Sequence, residues 1–212
     1  MISDQFHIFY EEQKLWKKNK WLGVPCWKLP FDQMVMQNII FETKPDWIIE
    51  TGTGMGGSAA FYASILELMG NGLVITMDIE RKFNKLDLPD KVSSRIIQLY
   101  GSSTNSIVRD KVFGYAQGSG SCLVFLDSWH SKDHVLEELE FYSPLVGVGK
   151  YVIVEDTHAS AEGHPVQWAY NDEGAMGAVR EFMKNNDQFI IDESQEHHLM
   201  SFNPNGFLRR VK

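Results

Sequence analysis

The sequence has few cysteines and no long apolar run, and each absence argues against a class of protein. Cys26 and Cys122 are the only cysteines among 212 residues, which is too few for a disulfide framework. Cys122 begins an apolar run that is predicted to be buried, as is typical of a reducing compartment. No stretch reaches the roughly eighteen apolar residues of a membrane span, and the N-terminus lacks the pattern of a signal peptide. We therefore expect a soluble, cytoplasmic protein with no membrane partner.

Basic residues are also scarce and do not form a long block. The chain has 20 Lys and Arg against 28 Asp and Glu, which gives a formal net charge of −8. The short basic cluster at residues 14–20 fits the solvated face of an N-terminal helix. Nucleic acid is not an expected partner, because its phosphate backbone requires an extended basic surface.

Covalent hydrolase chemistry is also unsupported, since no G-x-S-x-G motif accompanies the predicted strands.

Short apolar runs alternate with helical segments from residue 47 onward. The predicted strands cover residues 47–49, 73–77, 96–99, 123–126 and 151–154. The predicted helices cover residues 59–69, 106–115, 134–142 and 175–184. Unbroken apolar strands separated by helices predict an α/β fold with a Rossmann-like, doubly wound, mostly parallel sheet.

The two ends of the chain complete this prediction. An antiparallel C-terminal hairpin is predicted from residues 189–191, 198–202 and 207–210. The Asn- and Gly-containing residues 203–206 supply its turn. N-terminal helices and an aromatic lid loop are predicted within residues 1–44, with Asp32 as a helix cap. The chain length and the 43% hydrophobic content predict a single domain over residues 1–212, whose core is residues 45–212.

A glycine-rich turn follows the first predicted strand. Gly52, Gly54 and Gly57 fit the G-x-G-x-x-G pattern, in which glycines let backbone N–H groups approach a ligand closely. Asp78 ends the next strand, where an acid that binds a ribose is expected. Glu50 lies directly before the turn and favours a cofactor with a cationic amino group over one with a pyrophosphate. These features favour S-adenosylmethionine, and an NAD-type dehydrogenase is the alternative.

Acidic residues also follow later strands of the predicted sheet. Asp127 ends the fourth strand, and Glu155 and Asp156 end the fifth. The carboxyl ends of parallel strands share one edge, so these carboxylates would repel one another unless a cation lay between them. Oxygen ligands of this kind suit Mg²⁺, Ca²⁺ or Mn²⁺. The three acids are therefore predicted to bind a divalent metal, although each could instead cap the helix after its strand.

A histidine follows Asp127 by three residues and is predicted to be a general base. A neutral imidazole at His130 can take the proton of an acceptor hydroxyl whose acidity a metal has raised. His130 could instead be a further metal ligand or a capping residue. His134, His158 and His164 are the other candidates for the base, and His158, which lies just after the predicted acid pair, is the best placed of the three.

Aromatic residues predict the walls of an acceptor site. The residues in question are Trp21, Trp27, Trp129, His164 and Trp168. Such walls suit a sugar or a flat ring. Residues 163–174 are bounded by glycines after the fifth strand and are predicted to form a mobile lid.

Three motifs resemble the cephalosporin hydroxylase family. They are residues 44–59, which contain IIETGTGMGGS, residues 126–135, which read LDSWHSKDHV, and residues 151–166, which contain VIVEDT and GHPV. Residues 203–208 are also similar to that family's C-terminal hairpin. The resemblance implies a Rossmann-like fold of the S-adenosylmethionine-dependent methyltransferase type. Related enzymes, among them macrolide sugar O-methyltransferases, use Mg²⁺ and methylate a hydroxyl group.

The resemblance also implies roles for individual residues. By motif, Asp127, Glu155 and Asp156 correspond to the metal ligands, and His130 to the base. The residues expected to bind the cofactor are Glu50, Gly52, Thr53, Gly54, Gly57, Ser58, Asp78, Ser103 and Asp127.

The implied activity is Mg²⁺-dependent transfer of a methyl group from S-adenosylmethionine to a small metabolite, such as a sugar or another natural product. Asp127 and His130 would then be the catalytic residues. A homo-oligomer is also expected. Besides the dehydrogenase, a second alternative is a non-catalytic, cofactor-binding subunit that supports a hydroxylase.

Overall fold

The computed structural model describes residues 2–116, 118, 121–160 and 173–212. Most of the predicted lid, residues 163–172, lies outside the described residues, and so do His164 and Trp168.

The N-terminal region folds into helices and a small hairpin that precede the main sheet. Its elements are α1 (Ile2–Glu12), β1 (Lys20–Trp21), β2 (Val24–Pro25) and α2 (Pro30–Thr43). A 3₁₀ turn, Leu15–Lys18, joins α1 to the hairpin. Pro30 begins α2, where its missing N–H is not needed, and Lys44 ends the helix in a left-handed conformation before Pro45.

Among the described residues, seven strands form one mixed sheet. They are β3 (Trp47–Thr51), β4 (Leu73–Asp78), β5 (Ile96–Tyr100), β6 (Cys122–Leu126), β7 (Tyr151–Val154), β8 (Phe189–Ile191) and β9 (Phe207–Arg210). The spatial order is β5-β4-β3-β6-β7-β9-β8, in which β5, β4, β3, β6 and β7 are parallel. Strand β9 pairs antiparallel with both β7 and β8. The strand order reverses between β3 and β6, which is where open α/β sheets form their ligand crevice.

Helices cover both faces of this sheet. They are α3 (Gly57–Met69), α4 (Asp90–Ser93), α5 (Ser106–Ala116), α6 (Lys132–Tyr142) and α7 (Gly174–Lys184). Ile48 and Ile49 are both fully buried, yet they belong to different clusters. Ile48 packs with side chains of α2 and α3, whereas Ile49 packs with side chains of α5, α6 and α7. The predicted doubly wound, mostly parallel sheet is therefore confirmed, because successive residues of one strand face two apolar layers.

The C-terminal region differs in part from the prediction. Strands β8 and β9 are antiparallel, as expected, but residues 198–202 do not form a strand. The backbone of Phe202 is bonded elsewhere: its N–H donates to Asp32 Oδ2 at 2.9 Å, and its carbonyl accepts from the N–H of His158. A backbone held by these partners cannot join a strand ladder, so residues 192–206 connect the two strands as a long loop.

Asp32 consequently has a different role from the one predicted. The cap position of α2 is Leu29, and Asp32 is 3% exposed with its carboxylate directed to the C-terminal loop. Burial raises the pKa of Asp32 to about 6, although the bonds from Ser201 and Phe202 oppose this shift. Asp32 therefore connects α2 to a loop 170 residues away.

None of the helices in the described ranges is both long and apolar enough to cross a bilayer. The homo-oligomer, the cytoplasmic location and the single domain stay predictions.

We expect Asp32→Asn to reduce the pH dependence of stability. Because the folded-state pKa of Asp32 is raised, its contribution to the free energy of unfolding is full below about pH 4 and is lost as the pH rises through about 6. Between pH 5 and pH 7.5 the wild type should lose about 1 kcal/mol more than the variant. Urea unfolding at both pH values measures this difference. The exposed Asp90→Asn is the control, and equal losses in Asp32→Asn and wild type would contradict the assignment.

Candidate active site

A cavity of about 800 Å³ opens beyond the carboxyl ends of the parallel strands. Its wall includes the turn after β3 and the residues that follow β4, β5, β6 and β7. The predicted site residues on this wall are Gly52, Thr53, Gly54, Gly57, Ser58, Asp78, Ser103, Asp127, His130 and Asp156. Two other predicted residues in the described part of the chain, Glu50 and Glu155, are buried behind the wall.

The glycine turn is fixed by close backbone contacts. Gly52 has a φ of +82°, and a Cβ there would lie 1.8 Å from the carbonyl oxygen of Asp127. The N–H of Gly54 donates to Asp78 Oδ2 at 2.8 Å. A Cβ at Gly54 would meet no atom within 4 Å among the described residues, so the space beside this turn is open. Glycine at position 52 is thus required by both the left-handed conformation and the close contact with Asp127 at the end of the neighbouring strand β6.

Glu50 lies beneath the turn and is fully buried. It accepts a 2.6 Å hydrogen bond from the hydroxyl of Thr76, which is also 2.7 Å from the hydroxyl of Thr53. Burial raises the pKa of Glu50 to about 7, against the opposing charge of Lys28. Direct contact between Glu50 and a cofactor stays a prediction.

Asp127, His130 and Asp156 come together on the cavity wall. One ligand atom from each lies within 4.8 Å of the other two. His130 Nε2 is 3.8 Å from Asp127 Oδ1 and 3.4 Å from Asp156 Oδ2. Burial raises the pKa of Asp156, while the neighbouring His130 opposes this shift. Two carboxylate oxygens and one imidazole nitrogen are suitable donors for a divalent cation.

The backbone at Asp156 is held in an uncommon conformation. Its φ is +57°, in the left-handed region that residues other than glycine seldom adopt. The N–H of Asp156 donates to Oδ1 of Asn203 at 3.0 Å, and Asn203 is 1% exposed. Conformations of this kind persist only where the surroundings enforce them, and they are common at functional sites. Asn203 therefore fixes the direction in which Asp156 leaves the strand.

Lys28 pairs with two of the predicted metal ligands. Its Nζ is 2.5 Å from Asp127 Oδ2 and 2.5 Å from Glu155 Oε2, and the lysine side chain is 4% exposed. Burial by itself would lower the pKa of Lys28, but the charges of Asp127 and Glu155 raise it well above its usual value. Burial and the charge of Asp127 also raise the pKa of Glu155. Glu155 thus contacts Lys28 rather than joining the cluster of Asp127, His130 and Asp156.

A polar network lies on another part of the same wall. His134 Nε2 is 3.2 Å from the Ser103 hydroxyl and 3.0 Å from the Ser128 hydroxyl. Ser128 in turn donates to Glu138, which is fully buried, at 2.6 Å. The hydroxyl of Tyr142 donates to the Ser103 carbonyl at 2.6 Å. The end of β5 is therefore fixed by helix α6, which holds Ser103 in position at the cavity.

Aromatic side chains form the outer part of the cavity. Trp16, Trp27, Trp129 and Phe202 line it, and Trp27 and Trp129 are 46% and 59% exposed. Trp21 was expected on this wall but packs against α3, where its indole N–H donates to Ser64 at 3.0 Å. Trp27 and Trp129 therefore lie on the aromatic wall as predicted, whereas Trp21 does not.

Comparison with known proteins shows the family. The profile of the family described as "Rhamnosyl O-methyltransferase/CmcI" matches residues 13–211. This chain belongs to that family. The family predicted from the sequence motifs is confirmed.

Two mycobacterial members of the rhamnosyl O-methyltransferase/CmcI family are similar over nearly the whole chain. The rhamnosyl O-methyltransferase of Mycobacterium tuberculosis H37Rv is 31% identical over 216 residues, which cover 99% of this chain and 85% of the relative. The rhamnosyl O-methyltransferase of Mycobacterium leprae is 30% identical over 215 residues, with coverages of 99% and 90%. A solved structure described as "cmcI-D160 Mg-SAM" has a TM-score of 0.69 at 20% identity and covers 92% of this chain and 78% of its own. That structure supports the same fold.

The structure also separates His130 from His158 as candidate bases in this family member. His130 is on the cavity wall, whereas His158 is fully buried and is not among the residues that line the cavity. His158 stacks on the ring of Phe202 at 4.2 Å, and its Nδ1 lies 2.9 Å from the Phe202 carbonyl oxygen. The role of His130 as the base stays a prediction. The contacts of His158 with Phe202 indicate a structural role for His158.

Lys28 and Asn203 were not predicted from the sequence as site residues, and neither were Trp16, Ser128 and Phe202 on the cavity wall. Lys28 belongs to an aromatic loop in which nothing distinguishes it from a surface lysine, apart from its apolar neighbours Trp27 and Leu29. Asn203 belongs to the predicted C-terminal turn, and the similarity of residues 203–208 to the family's C-terminal hairpin was the only signal at this position.

We expect Gly52→Ala to be much more destabilising than Gly70→Ala. Both glycines have left-handed φ values, +82° and +78°, but only Gly52 has backbone atoms where a Cβ would lie. Gly70→Ala should lower the free energy of unfolding by about 1 kcal/mol, and Gly52→Ala by about 3 kcal/mol or more. Urea unfolding measures both. Equal losses would show that the contact with Asp127 is not a constraint.

Proposed function

We propose that this family member is an S-adenosylmethionine-dependent and Mg²⁺-dependent O-methyltransferase that methylates a hydroxyl of a small, sugar-containing acceptor. The observation that carries the proposal is the position of Asp127, His130 and Asp156 on the wall of the cavity that also contains the glycine turn. The rhamnosyl O-methyltransferases to which the chain is similar support the reaction class.

The glycine turn and its neighbours would hold S-adenosylmethionine. Gly52 and Gly54 supply backbone groups in the turn before α3, Asp78 supplies a carboxylate at the end of β4, and the space beside Gly54 is open. Ser103 and its network would border the other side of the cofactor. When bound, S-adenosylmethionine supplies the methyl group, and a bond from the acceptor oxygen to the methyl carbon forms as the bond to sulfur breaks.

Asp127 and Asp156, with His130 or Glu155, would hold the divalent cation. Their carboxylate oxygens and imidazole nitrogen are the donor types that such an ion accepts. A bound cation supplies positive charge that makes an acceptor hydroxyl more acidic. Among the described residues, Lys28 carries the only permanent positive charge that contacts Asp127 and Glu155. Their negative charge is therefore only partly offset, and a bound cation would offset the rest.

His130 would take the proton that the acceptor hydroxyl loses. Its ring is largely buried, at 9% exposure, yet it reaches the cavity between two carboxylates. Those carboxylates would stabilise the imidazolium that forms when the proton arrives. If His130 instead binds the cation, another group must accept this proton, and metal affinity distinguishes the two roles.

Trp27 and Trp129 would contact the acceptor. Their exposed rings at the cavity suit the apolar faces of a sugar or another ring, which pack well on indole. The curated relatives are described as rhamnosyl O-methyltransferases, which supports a glycosyl acceptor.

The glycine turn is also compatible with two other functions. An NAD-type dehydrogenase would use the glycine turn but has no need for the acids at Asp127 and Asp156. A non-catalytic subunit would need neither His130 nor the cluster. Tighter binding of NADH than of S-adenosylhomocysteine would favour the dehydrogenase, and absence of turnover with any hydroxyl acceptor would favour the subunit.

We expect His130→Ala to lower kcat for methyl transfer to a rhamnosyl acceptor by 10²- to 10⁴-fold, on the order of the contribution of a general base. Transfer from labelled S-adenosylmethionine measures the rate, and calorimetry measures the affinities for S-adenosylhomocysteine and Mn²⁺. If His130 is the base, both affinities should stay within about twofold of wild type. A large loss of Mn²⁺ affinity would identify a metal ligand instead. The exposed His197→Ala is the control.

We expect Trp129→Ala to raise KM for the acceptor by roughly tenfold while leaving KM for S-adenosylmethionine unchanged. The expected size follows from the loss of an aromatic contact of about 1 kcal/mol or more. Steady-state kinetics with each substrate varied in turn makes the measurement. An equal rise in both KM values would mean that the change disturbs the whole cavity.

A further inference from the structure

The most unusual group at the site is the buried ammonium of Lys28. It lies between Asp127 and Glu155, at 2.5 Å from an oxygen of each, and comes from the loop between β2 and α2 rather than from the sheet. We propose that Lys28 is a tethered cation, which occupies the space between these carboxylates until a divalent metal displaces it. This inference rests on the metal site of the proposed function.

The ammonium of Lys28 and a divalent metal would compete for the same carboxylate oxygens. A divalent ion such as Mg²⁺ binds carboxylate oxygens at about 2.1 Å. Lys28 already contacts Asp127 Oδ2 and Glu155 Oε2, so an ion that bridges these two atoms needs the space that Nζ fills. The other oxygen of Asp127 faces His130, at 3.8 Å from Nε2. Asp127 is therefore shared by the ammonium on one side and the cavity on the other.

The second carboxylate oxygen of Glu155 is not satisfied by Lys28. Glu155 Oε1 is buried and has no hydrogen-bond partner among the described residues. A buried carboxylate oxygen without a partner is unfavourable, and such groups commonly mark the position of an ion or a catalytic role. One ammonium contacts one oxygen of Glu155, whereas a divalent ion carries twice the charge and can bind a carboxylate through one or both oxygens. Displacement of Lys28 would let Glu155 join Asp127 and Asp156 as a ligand.

The loop that carries Lys28 also contacts the aromatic wall and the glycine turn. Trp27, its neighbour, lines the cavity. The carbonyl oxygen of Pro25 would lie 2.2 Å from a Cβ at Gly57, so the loop packs directly on the first residue of α3. The carbonyl of Lys28 accepts a 2.8 Å hydrogen bond from Asn19. A displaced Lys28 side chain would therefore change the surroundings of the aromatic wall and of the glycine turn, which couples metal binding to both.

An opposite role for Lys28 makes an opposite prediction. If the lysine stays in place and orients Asp127 for a metal held by Asp127, His130 and Asp156, then removing its charge should weaken metal binding. If the lysine competes with the metal, removing its charge should strengthen it. The sign of the change in metal affinity therefore separates the two roles.

The test measures Mn²⁺ affinity by calorimetry in wild type, Lys28→Met and Lys28→Gln, with the exposed Lys20→Met as a control. We expect at least about tenfold tighter binding in both Lys28 variants, since the competing charge is gone, and no change in Lys20→Met. We also expect the metal-free Lys28→Met protein to melt at a lower temperature than wild type and to gain more from saturating Mn²⁺.

A second measurement uses the wild type alone, and so does not depend on the folding of a variant. Reductive methylation followed by peptide mass mapping reports the accessibility of Lys28. We expect Lys28 to be protected in the metal-free protein and to be labelled faster when Mn²⁺ is added, while the labelling of Lys20 stays constant.

Each outcome has one meaning. Equal or weaker Mn²⁺ binding in the Lys28 variants, or unchanged labelling of Lys28 on Mn²⁺ binding, overturns the role of Lys28 and leaves the proposed metal site intact. Absence of Mn²⁺ binding in wild type and in both variants overturns the metal site and this inference together. Binding that appears only in the variants supports competition in its strongest form.

Discussion

The site depends on how negative charge is held at the carboxyl edge of the parallel strands. Asp127 and Glu155 lie at the ends of neighbouring strands, and Lys28 lies between them. Two unit charges 4 Å apart interact by roughly 4 kcal/mol at an effective dielectric constant of 20, so buried acids this close need a counter-charge. The N-terminal loop provides one. This requirement connects a segment outside the sheet to the edge where the cavity opens.

Backbone contacts bring the two halves of the site together. Gly52 lets the turn after β3 touch the carbonyl of Asp127 at the end of β6, and Asn203 holds Asp156 in a left-handed conformation after β7. The glycine turn and the acids consequently share one cavity wall. Methyl transfer needs the donor and the activated hydroxyl in line and in contact, and a rigid sheet edge can supply that positioning.

The features that could be predicted from the sequence have local signals. Ile48 and Ile49 lie in an unbroken apolar run, which indicates a strand buried on both faces, and the runs that follow it gave the other parallel strands in the same way. Residues 198–202 also contain apolar side chains, at Leu199, Met200 and Phe202, yet they form a loop, because the backbone of Phe202 is bonded to Asp32, 170 residues away. Trp21 was wrongly expected at the cavity for the same kind of reason, since its partner Ser64 is on a distant helix.

The sequence alone determined the family, the order of the five parallel strands along the chain, and the positions of Asp127, His130 and Asp156 at strand ends that must share an edge. Those conclusions follow from periodicity and motif, which are properties of neighbouring residues. Only the tertiary structure decided that Glu155 contacts Lys28 while His130 approaches Asp127 and Asp156. Lys28 and Asp127 are 99 residues apart, and no local pattern specifies which buried charge a distant loop will deliver to a carboxylate. That choice is made by packing of the loop on the start of α3.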